Sequence, residues 1–182
     1  MQNPFIDEFF IVIDVESAGP NPGNYALSSI GACTLNQTRE TFYIELIPDS
    51  ELFTDEALRI SNFSMEYLKE NGIDSKEAMQ KFSDWVSGIC PENASPVFVA
   101  FNAPYDWMFV NEYFHRYKIA NPFGYKALDI KAFYMGKHGV SWKDTSFKNV
   151  AERYLDSKSI EHHALQDAID TADMFQRMLE DK

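Results

Sequence analysis

Positive charge is scarce in this 182-residue sequence: 16 Lys and Arg stand against 28 Asp and Glu, a formal net charge of −12. If that charge is evenly spread, it excludes a general electrostatic grip on long DNA, long RNA or an anionic membrane surface. Cysteine is scarce too. Cys33 and Cys90 have neither CxxC spacing nor a framework to staple, so both are expected as buried free thiols in a reducing cytoplasm. Long apolar runs are missing: Phe9 to Ile13 is cut by Asp14, and acidic Asp7 and Glu8 stand where a leader would be basic. The expectation is a cytoplasmic protein with no membrane partner. The chain also lacks a P-loop and a Gly-x-Gly-x-x-Gly, so nucleotide-driven and dinucleotide chemistry have no support.

What is present is enough to fold. A hydrophobic content of 45% excludes a disordered chain, and the length suits one domain over residues 1–182. Phe9 to Val15, Leu27 to Leu35 and Thr41 to Ile47 read as three closely spaced strands, an antiparallel meander. Thr54-Asp55-Glu56 has the form of a helix start, and Lys76 to Val86 carries a helical apolar stripe. Val97 to Phe101 is continuously apolar, as in a strand buried on both faces, and Pro104 suits the first turn of a helix to about Tyr117. A short strand near Tyr125 to Leu128 and helices near Lys131, Phe147 to Tyr154 and Ala164 to Leu179 follow. The expected class is α/β: a mixed central sheet of about five strands, meander first and β-α units second, flanked by helices.

Three segments carry chemistry. Asp14-Val15-Glu16 closes the first strand, and the period-two alternation of a strand turns both carboxylates to one face. Such a pair alone is most often a solvated edge. Asn102-Ala103-Pro104-Tyr105-Asp106 follows the buried strand and puts Asp106 in the first turn of a helix, where it could simply complement the helix dipole. His162-His163-Ala164-Leu165-Gln166-Asp167-Ala168 is the third. On one continuous helix His162 and Asp167 would lie roughly 140° apart, so His162 must precede the helix to share a site with Asp167. Asp170 and Asp173, competing acids on that helix, are expected to face solvent. Each segment falls at a strand end or helix start, where sheet folds collect ligands. Four carboxylates and a histidine are the inventory for two hard divalent cations and a general base, whereas a zinc hydrolase would want more His or Cys.

In these segments the sequence resembles the DEDDh 3′ to 5′ exonucleases of the ribonuclease H-like superfamily, relatives of proofreading exonuclease subunits, ribonuclease T and oligoribonuclease. Asp-x-Glu matches Asp14 and Glu16, Asn-x3-Asp matches Asn102 and Asp106, and His-x4-Asp-Ala matches His162, Asp167 and Ala168. The resemblance implies two Mg²⁺ or Mn²⁺ ions, with Asp14 bridging both, Glu16 and Asp167 on the first, and Asp106 acting directly or through water. It implies that His162 deprotonates the attacking water, a task suited to a side chain that ordinarily titrates near about pH 6.5. His163 occupies the variable position beside it. Implied partners are the 3′ ends of single-stranded DNA or RNA, or short oligonucleotides; some relatives are homodimers.

Many relatives carry Thr after the first Glu, whereas this chain has Ser17-Ala18-Gly19-Pro20, so Ser17 and Ala18 stand where the terminal sugar is met. Tyr105 and Trp107 flank Asp106; either could stack on a terminal base or pack in the core. Between Arg116 and Arg153 eight basic residues face three acids, a local excess that could draw a strand end toward the metals. The rival reading is a catalytically silent ribonuclease H-like module that binds nucleic acid or protein, but all five motif positions are filled. A histidine-aspartate phosphodiesterase needs an adjacent His-Asp pair, and the sequence has none.

Overall fold

The computed structural model describes residues 7–181. Five strands form one mixed sheet in the order β3-β2-β1-β4-β5: β1 (Glu8–Ser17), β2 (Leu27–Thr34), β3 (Thr41–Glu45), β4 (Ser95–Ala100) and β5 (Ala127–Asp129). β1, β2 and β3 pair antiparallel as the expected meander, and β4 and β5 join parallel to β1. Helices α1 (Asp55–Ser61), α2 (Met65–Asn71), α3 (Ser75–Ile89), α4 (Pro104–Arg116), α5 (Ile130–His138), α6 (Phe147–Tyr154) and α7 (Ala164–Glu180) cover the sheet. Among the described residues no helix is long and apolar enough to cross a membrane.

The alternation along β1 divides the interior. Phe9, Ile11, Ile13 and Val15 enter a core shared with α3 and α4, while Phe10 and Val12 enter a second core shared with α5, α6 and α7. From Val97 onward β4 is continuously apolar because its two faces meet different cores: Phe98 joins the first and Val99 the second. Side-chain caps fix where the helices begin. Thr54 accepts the Ala57 N–H before α1, Asp74 accepts the Lys76 and Glu77 N–H groups before α3, and Pro104 opens α4. The seven-residue α2 and the 3-10 turn Trp142–Thr145 are too short for a periodic signal and were not expected. Cys33 is buried as expected, but Cys90, just past the end of α3, is only partly covered.

One glycine sets how closely α7 can approach. Gly31 pairs with Asp14 across β1 and β2, and a Cβ there would lie 2.2 Å from the backbone carbonyl of Ala164. The start of α7 therefore rests directly on the sheet, one turn from Asp167. Gly31→Ala is expected to destabilise the protein by roughly 2 to 3 kcal/mol, as overpacking against rigid backbone does. It should also lower nuclease activity by shifting Asp167. Urea unfolding beside an activity assay checks both, and a variant of unchanged stability would contradict the close approach.

Candidate active site

β1 and β4 run parallel, so their carboxyl ends open at the same edge of the sheet, where the strand order reverses direction. Asp14 and Glu16 continue the alternation of Phe10 and Val12 and face α7. Asp106, in the first turn of α4, reaches over the strand end, and its Oδ1 accepts the Val15 N–H at 3.1 Å. Asp167, in the first turn of α7, accepts the Glu161 N–H at 2.9 Å and the His163 N–H at 3.3 Å. The four acids and His162 line one cleft of about 260 Å³, with Ser17, Ala57, Ile60, Phe101, Asn102, Tyr105 and Ile160 among its walls.

Electrostatics mark the cleft more sharply than its shape. Burial first, then the negative charges of Asp106, Glu16 and Asp167, hold the Asp14 carboxyl well above the usual carboxylate range. Burial and Asp167 push Glu16 up to about 7. Burial raises Asp106 despite the opposing Val15 hydrogen bond, and raises Asp167 despite its backbone donors. Among the described residues no Lys or Arg forms an ion pair with any of the four. A cluster of buried oxygen donors that repel one another and lack a side-chain cation fits hard divalent ions, and ligand atoms of Glu16, His162 and Asp167 lie within 4.8 Å of one another.

His162 does precede the helix. α7 begins at Ala164, His163 is its N-cap and stacks on Tyr43 at 4.8 Å, and His162 is exposed in a left-handed conformation at φ 56°. The loop that carries it is tied to α7 at two levels. Asp167 takes its backbone N–H groups, and Lys158 reaches Asp170 at 2.6 Å. Asp170 is thus buried, not solvent-facing: Lys158 pairs with it from the loop, and Gln166 Nε2 donates to its Oδ1 at 2.9 Å from the helix. Asp173 is solvent-facing and pairs with Arg39 at 2.9 Å.

The remaining candidates divide. Ser17 and Tyr105 line the cleft and are joined by a 2.6 Å hydrogen bond between their hydroxyls. Ala18 lies outside it, wholly buried with Ala26 and Met65, and Trp107 packs edge-on against Phe98 in the first core. Asn102 lines the rim at φ 67°, its turn held by Asp129, whose Oδ1 accepts the Asn102 and Ala103 N–H groups at 3.0 and 3.2 Å. Asp129 and Asp170 are supporting groups that sequence reasoning missed; an N-cap signal before α5 was there to find Asp129. The basic segment does not act as one surface. Arg116 is bound to Asp49 at 2.6 Å and Arg153 to Asp181 at 3.0 Å, whereas Lys131 reaches the cleft rim.

The family model RNase_T, described as an exonuclease, matches residues 11–175. The chain is 40% identical to the 3′-5′ DNA exonuclease Cap18 of Escherichia coli over 168 residues, 92% of this chain and 90% of that protein. It is 30% identical to ribonuclease T of Histophilus somni over 200 residues, 96% of this chain and 85% of that protein. Its fold matches the nuclease domain of 3′hExo, a DEDDh family member bound to rAMP, with a TM-score of 0.78 at 18% identity, covering 98% of this chain and 94% of that one. It also matches E. coli exonuclease I in complex with a dT13 oligonucleotide, with a TM-score of 0.70 at 16% identity, covering 94% of this chain and 41% of that one. The family uses divalent metal ions, as the donor set of the cleft requires. With its acidic cleft at the strand ends and a family match across nearly its whole length, the chain belongs to the RNase T-type, DEDDh family and is a 3′ to 5′ exonuclease.

Proposed function

We propose that the protein removes nucleoside 5′-monophosphates one at a time from the 3′ end of single-stranded DNA. The observation that carries this reading is the convergence of Asp14, Glu16, Asp106, Asp167 and His162 on one narrow cleft. The DNA exonuclease at 40% identity supports DNA over RNA, and the dT13 complex of a fold relative supports a single strand.

Asp14, Glu16, Asp106 and Asp167 would hold two divalent cations. Held there, such ions would supply positive charge against the scissile phosphate and lower the pKa of the attacking water. His162, on its exposed loop beside Glu16 and Asp167, takes the proton from the attacking water and passes it to solvent. Ser17 and Tyr105, locked together by their hydroxyls, brace one wall for the terminal sugar, and Ala57, Ile60 and Ile160 give the terminal base an apolar lining. The net charge is compatible with this substrate, because four of the excess acids are the cation ligands themselves.

The test is incubation with 5′-labelled single-stranded DNA and RNA of matched sequence, with Mg²⁺, Mn²⁺ or EDTA. The expected result is a one-nucleotide ladder on DNA that depends on the metal and is at least about ten times slower on RNA. Equal rates would remove the DNA preference. No shortening of either strand under any metal would restore the silent-module reading.

A further inference from the structure

Beside the cleft, on the side of Asn102, lie two groups that the chemistry above does not use. Lys131, near the start of α5, donates to Asn102 Oδ1 at 3.3 Å, so its ammonium stands at the rim of the cleft. The same ammonium lies 4.4 Å from the centre of the Trp142 ring, and that indole is 53% exposed. The pair therefore sets a half-open indole face and an ammonium side by side at the same edge of the cleft. Among the described residues Lys131 has no carboxylate partner, whereas Arg116 and Arg153 are bound to Asp49 and Asp181. The position of the pair is fixed from below. Asp129 caps α5 and holds the Asn102 turn, and Thr145 Oγ1 donates to the Trp142 carbonyl at 2.7 Å.

An open aromatic face next to an unneutralised cation is the combination that binds single-stranded nucleic acid without reading its sequence: the ring stacks a base and the cation meets a phosphate. We propose that Trp142 and Lys131 form a ledge for the nucleotide on the 5′ side of the terminal one, Trp142 stacking its base and Lys131 meeting its phosphate. The ledge rests on the reading of the protein as a single-strand exonuclease and adds to it a second subsite outside the metal cleft. The terminal nucleotide is gripped by the cleft, and the nucleotide before it is gripped here.

Two substrates separate the subsites. One is a 5′-labelled single-stranded DNA; the other is the p-nitrophenyl ester of thymidine 5′-monophosphate, which keeps the terminal nucleotide and replaces everything 5′ of the scissile phosphate. Trp142→Ala should raise KM for the oligonucleotide by between about 5-fold and about 150-fold, the range for losing one stacked base, and leave the ester unaffected. Trp142→Phe should recover most of the loss. Lys131→Gln should raise KM for the oligonucleotide and flatten the slope of log KM against log salt by about 0.7, as loss of one phosphate contact on a single strand does. Circular dichroism melts confirm that the variants fold. Equal losses on both substrates would mean that the substitutions merely distort the cleft, and unchanged KM with an unchanged salt slope would mean that the ledge meets no strand; either overturns the proposal. A wild-type protein that cleaves the ester but no single strand overturns the single-strand reading, and the ledge with it.

Discussion

Replacing Asp14 by Asn is expected to lower the rate of hydrolysis by about a thousandfold or more while the protein stays folded, and to raise the melting temperature of the metal-free form. The two effects have one cause. Asp14 stands among Asp106, Glu16 and Asp167 at the carboxyl end of β1, and burial together with those three charges holds its carboxyl far above the ordinary range. In the metal-free protein its negative charge therefore opposes folding, and an uncharged amide of the same shape relieves the repulsion. In the proposed metal site that same charge would hold the cations, and an amide that cannot ionise is a poor ligand for them. Single-turnover cleavage of a labelled oligonucleotide and thermal melts in EDTA measure the two halves. Activity within tenfold of wild type would remove Asp14 from the metal site. Lost activity with a lower metal-free melting temperature would give it a structural role instead.

The same opposition explains which parts of the site are legible in the sequence. Asp14 and Glu16 can be placed on one face because strand alternation is a local rule, and the apolar residues Phe10 and Val12 of the same face fix which face it is. That His162 must precede α7 follows from the helical period alone, and the structure begins α7 at Ala164. Asp170 is the counterexample. Three residues from Asp167 and beside Ala168 and Ala172, nothing local distinguishes it from a surface acid such as Asp173. Its partner Lys158 comes from an irregular loop twelve residues earlier, with left-handed residues at Asp156 and Ser157 that no periodic pattern announces. Trp107 and Tyr105 differ for a similar reason. Both flank Asp106, but Trp107 is turned toward Phe98 on the preceding strand and Tyr105 toward Ser17, 88 residues away in the chain, a choice made by tertiary packing. Local rules find the proposed ligands, while the groups that hold them in place depend on contacts the sequence does not order.

Removing divalent ions should make the stability of the protein fall as pH rises from about 5 to about 7.5. Glu16 shows why. Its carboxyl titrates at about 7 in the folded chain against 4.5 when unperturbed, so the folded state binds its proton more tightly than the unfolded state does. Below pH 4.5 both states are protonated and the group contributes nothing. Between 4.5 and about 7 the unfolded state gains by ionising while the folded state cannot, and above about 7 the full penalty is present, about 3 kcal/mol from this group alone. Asp14, Asp106 and Asp167 shift in the same direction and add to it, since burial raises each of them. For a chain of this length, about 3 kcal/mol corresponds to a drop of about 6 to 12 °C in melting temperature. Mn²⁺ or Mg²⁺ should restore more of that loss at pH 7.5 than at pH 5.5, because only ionised carboxylates bind them well. Glu16→Gln should flatten the metal-free profile and shrink the gain from added metal. Melting curves across that pH range, with EDTA and with saturating Mn²⁺, measure each quantity. A metal-free profile that rises with pH, or one that Glu16→Gln leaves unchanged, would mean that the cleft is not the strained acidic cluster described here.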